Sequence, residues 1–230
     1  VLEVCALPSE SQFAAALACI GVKINEEQCA QLRTYADMLI SVSQHTNLTA
    51  ITDRDAVYEK HFYDSATVCT AVSMDRCTEM LDIGAGAGFP ALVLRTLWPH
   101  LGVTVVEARR KRVRFMQDVC NALGFSDVRI VHGRAEHVVR VEAQKRYGLV
   151  VARAVASTAQ LAQWCLPFAR SGGDVVAMKG PEDDWTDATP IIHRYGGAIA
   201  DVITTQLPWS GARRTLVRMT KVRDRVSRET

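Results

Sequence analysis

Hydrophobic positions recur at two periods along the chain, and the change between them divides it. Over residues 9–45 the spacing is helical. Phe13, Leu17 and Ile20 fall on one face of a first segment, with Ser9 or Ser11 as its cap and Gly21 as its end. Asn25 followed by Glu26 and Glu27 predicts a second helix start, an N-cap with acids in the first turn. Cys29, Leu32, Tyr35, Ala36, Leu39 and Ile40 then keep helical spacing. A polar stretch at 47–52 reads as a turn. A third helix, capped by Thr52 or Asp53, carries Val57, His61, Phe62 and Val68. Tyr58, His61 and Ser65 stand at i, i+3 and i+7, which predicts one shared face.

From Glu79 onward short apolar runs alternate with helical patterns. Strands are predicted at 79–83, 103–107, 128–132, 148–152 and 174–178, and helices at 88–98, 110–123, 134–141 and 158–170. Such alternation predicts an α/β domain whose mainly parallel sheet carries helices on both faces. A helix near 185–195 stops at Gly196-Gly197. The last two runs, 198–207 and 213–221, are joined by Pro208-Trp209-Ser210-Gly211, so they pair antiparallel. The expected organisation is a helical extension over 1–75, the α/β domain over 76–222, and a charged, mobile tail over 223–230.

Composition narrows the classes. The 230 residues carry a net charge of +2, so contact with a polyanion needs a local basic surface. The densest basic run is Arg109-Arg110-Lys111-Arg112 with Arg114, readable as a solvated helix face or as an RNA contact. No run of about 18 apolar residues predicts a membrane helix. Residues 1–11 lack the features of a signal peptide, and the sequence begins without Met. The seven cysteines are scattered and never in C-x-x-C spacing. They are expected to be free thiols in a reducing cytoplasm, with no metal site.

The candidate chemistry centres on Met80-Leu81-Asp82-Ile83-Gly84-Ala85-Gly86-Ala87-Gly88-Phe89-Pro90. An apolar strand running into spaced glycines and a helix lets a ligand approach the main chain closely. A dinucleotide fingerprint would place its third glycine at Phe89, and there is no P-loop. Glu107, about twenty residues on, ends the second strand, where a carboxylate accepts hydrogen bonds from ribose hydroxyls. Gly133-Arg134-Ala135-Glu136 follows the third strand, so Ala135 and Glu136 are candidates for an adenine edge. These readings support an adenosine-bearing ligand.

Several stretches together resemble one family, the bacterial 16S ribosomal RNA guanine-N7 methyltransferases, also called glucose-inhibited division protein B. They are the glycine motif, Asn47-Leu48-Thr49-Ala50-Ile51, His61-Phe62-Tyr63-Asp64-Ser65 and Lys111-Arg112-Val113-Arg114-Phe115. Arg153-Ala154-Val155-Ala156-Ser157, Met178-Lys179-Gly180 and Arg214-Thr215-Leu216-Val217 continue it in order, over roughly residues 30 to 220. The resemblance implies a class I, Rossmann-like fold: a seven-stranded sheet with an antiparallel last strand, preceded by N-terminal helices. It implies S-adenosyl-L-methionine as methyl donor and a guanine N7 of 16S ribosomal RNA as acceptor. It places cofactor contacts on Gly84, Gly86, Phe89, Glu107, Ala135, Glu136 and Arg153. It places RNA or acceptor contacts on Asn47, His61, Ser65, Arg153, Lys179 and Arg214. Glu107 stands where many members have Asp, and Ala91 where Gly is common.

The residues fit that chemistry. Guanine N7 offers a lone pair and no proton, so methyl transfer needs positioning and electrostatics rather than a general base. No catalytic dyad is evident. Cys165-Leu166-Pro167 is in the wrong order for a cytosine nucleophile, so Cys165 reads as core. His61 and Asp64 are expected as a hydrogen-bonded pair joining the helical layer to the site. Trp164, Trp185 and Trp209 lie near the expected rim, with Trp164 read as core. A small-molecule methyltransferase, and a non-catalytic RNA-binding protein on this fold, are the competing readings. A monomer in the cytoplasm acting on 16S ribosomal RNA or the small subunit is expected.

Overall fold

The computed structural model describes residues 10–141, 146–153, 156–180 and 185–222. The Ser9 cap, Cys5, Ala154-Val155 and the tail 223–230 lie outside these residues.

Seven strands form one sheet: β1 (Glu79–Ile83), β2 (Gly102–Glu107), β3 (Arg129–His132), β4 (Tyr147–Arg153), β5 (Ala169–Lys179), β6 (Gly197–Gln206) and β7 (Arg213–Lys221). Their order is β3-β2-β1-β4-β5-β7-β6. β7 pairs antiparallel with both β5 and β6, while the other neighbours are parallel, so β7 alone runs against the rest. This is the expected fold class. Strand order reverses between β1 and β4, and ligands of such sheets collect beyond the carboxyl ends at that point. Leu149, Val150, Val151 and Ala152 of β4 are fully buried, as a strand covered on both faces requires.

One face of the sheet is covered by α1 (Glu10–Cys19), α2 (Glu26–Ser43), α3 (Arg54–Val57), α4 (Asp64–Ala66), α5 (Ala91–Leu97) and α6 (Arg110–Leu123). Phe13, Leu17, Tyr35 and Phe62 of the N-terminal layer share a core with Leu94 and Met116. The other face carries α7 (Ala135–Val141), α8 (Thr158–Cys165) and α9 (Thr189–Arg194), where Leu161 and Ile192 meet Val150 and Val175.

Local chemistry explains the element ends. Asn25 and Gln28 form a capping box on α2, each side chain accepting from the other's backbone N–H at 2.9 Å. The Gln28 amide also donates to the carbonyls of Thr96 and Leu97, at 2.9 and 3.1 Å, so it satisfies the last turn of α5. Asp53, one of the two expected caps, accepts from Ala56 N at 2.9 Å.

Three predicted helices are corrected. The 88–98 helix begins only at Ala91. Gly88 has φ +106°, and Asp82 caps the later start by accepting from Ala91 N at 3.1 Å. The 158–170 helix stops at Cys165, where Pro167 enters a short 3-10 turn, and β5 starts at Ala169 instead of 174. The third helix is broken by a π-turn, Tyr58–Tyr63, between α3 and α4. The extra residue in that turn separates the expected common face. Tyr58 packs on Phe13, His61 stacks on Phe89, and the Ser65 hydroxyl donates to the His61 carbonyl at 2.5 Å.

Gly88 fixes how closely the glycine loop approaches the helical layer. A Cβ there would lie 2.5 Å from the Tyr35 hydroxyl oxygen and 2.7 Å from Leu92 Cδ1. Strain at positive φ adds to the overpacking, so Gly88→Ala is expected to cost about 3 kcal/mol or more in urea unfolding. Gly124→Ala, at φ +72° but in open space, is expected to cost about 1 kcal/mol. Equal costs for the two variants would refute the close-approach account.

Candidate functional site

The carboxyl ends of the strands open onto a cleft of about 690 Å³, within the usual range for small-molecule sites. Gly84, Gly86 and Phe89 line it, with His61, Arg153, Lys179 and Arg214. A neighbouring chamber of about 270 Å³ shares Gly84, Arg109 and Arg112, and is lined by Glu107, Ala135, Glu136 and Trp164. Seven of the twelve residues singled out from the sequence thus face one chamber, and Gly84, Glu107, Ala135 and Glu136 face the other.

The glycine loop is shaped by β2. Gly84 N donates to the Val106 carbonyl at 2.8 Å. Glu107 Oε2 accepts from Gly86 N at 2.9 Å and Oε1 from Arg109 N at 2.8 Å, while Arg112 Nη1 lies 3.8 Å from Oε2. The carboxylate therefore holds the loop and remains at the wall of the smaller chamber. Gly86 has φ +62°, and a Cβ there would meet only the Arg112 guanidinium, at 3.8 Å, so the main chain is open toward the cleft. Phe89 takes the space a dinucleotide site gives to glycine. It is buried, stacked between His61 at 4.4 Å and Tyr35 at 5.2 Å, with the Arg153 guanidinium 5.2 Å from its ring centre.

On the β4–β5 side the cleft is governed by Arg153. Its Nη1 donates to the Lys60 carbonyl at 3.0 Å and to Asp64 Oδ2 at 3.1 Å. Its Nη2 lies 3.2 Å from His61 Nδ1. A guanidinium only donates, so Nδ1 accepts and the ring proton sits on Nε2, which faces Thr49 Oγ1 at 3.0 Å. Burial, then the Arg153 charge, lowers the His61 pKa to about 3, so the ring is neutral near pH 7. Asp64 Oδ1 accepts from Arg214 Nε at 3.1 Å. His61 and Asp64 are thus joined through Arg153 rather than to each other, a correction to the expected pair. The ammonium of Lys179, buried at the end of β5, donates to the Ala156 carbonyl at 2.7 Å.

Two predicted acceptor residues stand apart. Asn47 is exposed, one residue before the lining stretch Leu48, Thr49, Ala50 and Ile51. Ser65 is fully buried behind His61. Trp164, read as core, borders the smaller chamber. Other residues of the site carry weaker sequence signals. Arg112 borders both chambers, hidden in the sequence within a basic run. Outside both chambers, beneath the glycine loop, Asp82 is fully buried, its Oδ1 has no hydrogen-bond partner, and desolvation raises its pKa well above the carboxylate range. An acid inside an otherwise apolar strand was its signal.

A family model described as rRNA small subunit methyltransferase G matches residues 28–189. A ribosomal RNA small subunit methyltransferase G from Exiguobacterium sp. is 39% identical, covering 94% of this chain and 92% of its own length. One from Lactobacillus delbrueckii subsp. bulgaricus is 40% identical, covering 92% of this chain and 90% of its own. The chain belongs to the rRNA small subunit methyltransferase G family. As a member it is a methyltransferase that uses S-adenosyl-L-methionine on ribosomal RNA. In fold it is similar to Aeropyrum pernix fibrillarin in complex with natively bound S-adenosyl-L-methionine. That structure is 15% identical with a TM-score of 0.52, covering 65% of this chain and 69% of the other. The architecture is that of class I S-adenosylmethionine-dependent methyltransferases.

The residues of this methyltransferase fit the cofactor. Glu107 sets a carboxylate at the wall of the smaller chamber where ribose hydroxyls would find an acceptor, Gly86 leaves the main chain bare, and the larger chamber is lined by cations that would suit a carboxylate. Gly86→Asp adds a side chain at φ +62° and a second carboxylate beside Glu107. It is expected to abolish cofactor binding; unchanged binding by calorimetry would refute this placement.

His61 sets a second test. Its folded pKa lies below the ordinary value near 6.5, so the unfolded chain binds a proton that the folded chain does not. The associated stability is complete above about pH 6.5 and is lost as pH falls toward 3. His61→Gln is expected to flatten the pH dependence of urea unfolding between pH 4.5 and 6.5 by up to about one proton. An unchanged slope would show that the imidazole titrates normally.

Proposed function

We propose that this chain methylates N7 of a guanine in the 16S ribosomal RNA of the small subunit, acting as a monomer in the cytoplasm. The observation that carries this reading is the wall of the larger chamber. Lys60, Arg109, Arg112, Arg153, Lys179 and Arg214 line it, and Asp64 is its acid among the described residues. Such a concentration of cations, on a chain of net charge +2, suits a polyanion.

The lack of a competent base in that wall supports a ring nitrogen as acceptor. His61 is neutral, but its Nδ1 lone pair faces Arg153. Asp64 is held by two guanidiniums. Neither is free to take a proton from an exocyclic amine, whereas N7 loses none. When bound, the cofactor supplies a methyl group activated by its positive sulfur, and the reaction is an in-line displacement. The chain's own part is to place the base and to offset the phosphate charge. In this reading Gly84, Gly86, Phe89, Glu107, Ala135 and Glu136 hold the cofactor, while Lys179 and Arg214 serve the RNA. Arg153 stands where either can reach it. Asn47 and Ser65 act indirectly, Asn47 beside the lining stretch and Ser65 beneath His61.

A monomer is supported by the surface. Among the described residues, Val222 is the exposed large hydrophobic side chain. No helix of the described residues is long and apolar enough to cross a membrane.

Undermodified small subunits, naked 16S RNA and free guanosine nucleotides, each incubated with labelled methyl donor, test the proposal. Label is expected as 7-methylguanine in RNA; label on an exocyclic amine, or only on free nucleotides, would overturn it. Lys179→Ala and Arg214→Ala are each expected to lower kcat/KM for RNA about tenfold or more, with cofactor Kd changed less than about threefold. Loss confined to cofactor affinity would remove their RNA role.

A further inference from the structure

The position of Arg214 depends on the β6–β7 hairpin, and a residue outside the cleft holds that hairpin. Glu59 is buried, 4% exposed. Its Oε1 accepts from the backbone N–H groups of Trp209 at 2.8 Å and Ser210 at 2.5 Å, both in the hairpin turn. The turn is closed by Leu207 N to the Ala212 carbonyl at 3.0 Å, and the Trp209 ring meets Tyr63 edge-on at 6.4 Å. Four residues after Ser210, Arg214 donates to Asp64. Glu59 and Asp64 therefore grip the same hairpin at two points.

The π-turn makes that double grip possible. Asp64 N bonds the Glu59 carbonyl, an i→i+5 contact. In a regular α-helix residues five apart point about 140° away from each other. The wider turn brings them onto one side, as π-turns at functional sites do. A carboxylate is also the stronger acceptor for two N–H groups, and an apolar residue in its place would leave both amides unpaired.

We propose that Glu59 is a positioning residue for the acceptor. It fixes the β6–β7 turn so that Arg214 reaches Asp64 and presents its guanidinium to an RNA phosphate. The inference rests on the ribosomal RNA reading above. Glu59 itself does not line either chamber, so its effect passes through Arg214.

The test compares wild type, Glu59→Ala, Glu59→Gln, Arg214→Ala and the two double variants. Methylation of undermodified small subunits and cofactor binding by calorimetry are measured for each. Glu59→Ala is expected to raise KM for subunits about tenfold with cofactor Kd within about twofold of wild type. Glu59→Gln, whose amide oxygen still accepts both N–H groups, is expected to recover most of the loss. In the Arg214→Ala background neither substitution is expected to add further loss, because both act on one contact. Multiplying effects in the double variants, or an unchanged KM in folded Glu59→Ala, would overturn the proposal. If Glu59→Ala fails to fold, the glutamine pair decides: a KM rise that persists without Arg214 overturns it. Hydrogen exchange over 207–214 reads the grip independently of substrate. Faster exchange confined there in Glu59→Ala, with Glu59→Gln close to wild type, is expected, and no change in Glu59→Ala refutes the grip. A wild type that binds cofactor but leaves subunits unmethylated would instead remove the functional reading.

Discussion

The carboxylate of Asp64 is the contact on which the cleft depends. It is nearly buried and bonded at 3.1 Å by Arg153 from β4 and by Arg214 from β7. Both of its oxygens are paired, and removing one partner of such a buried pair typically costs about 3–5 kcal/mol. Three separate pieces of chain meet there: the N-terminal helical layer, the switch-point strand, and the antiparallel edge. The wall of the larger chamber is therefore the product of one buried ion cluster rather than of a single element.

That cluster also disarms its own titratable groups. The Arg153 donors occupy the His61 ring nitrogen and one Asp64 oxygen, and Arg214 takes the other. What remains is a cationic surface with fixed orientation. For an acceptor that brings its own lone pair, orientation and charge are what the protein has to provide. The same economy appears at Glu107, whose carboxylate shapes the glycine loop through Gly86 while facing the smaller chamber.

The glycine loop illustrates why part of the site was legible. Positive φ at Gly84, Gly86 and Gly88 follows from residue type at a strand end, and Glu107 sits where the next parallel strand must end. Periodicity located all seven strands, because buried strands read as apolar runs between turn residues. It placed the β5 start five residues late, since Arg170, Ser171, Gly172 and Gly173 break the apolar run at an irregularity between the Tyr147–Ala169 and Leu149–Asp174 pairs. The π-turn was invisible for a related reason: 58–63 has ordinary helical composition, and the packing of Tyr58 on Phe13 and of His61 on Phe89 leaves no local pattern.

The sequence by itself determined the alternation of elements, the glycine turn and the kind of ligand such a turn accepts. These are local properties, set by side-chain periodicity and by the φ range open to glycine. The tertiary structure decided which side chains share a chamber and which bond one another. Asp64 and Arg214 are 150 residues apart, and so are Glu59 and Trp209. Contacts at that separation depend on strand order and on one extra residue in a helical turn, neither of which leaves a local pattern. The glycine loop was accordingly readable from the sequence, whereas the cluster of Asp64, Arg153 and Arg214 beside it emerged only once β7 was set between β5 and β6.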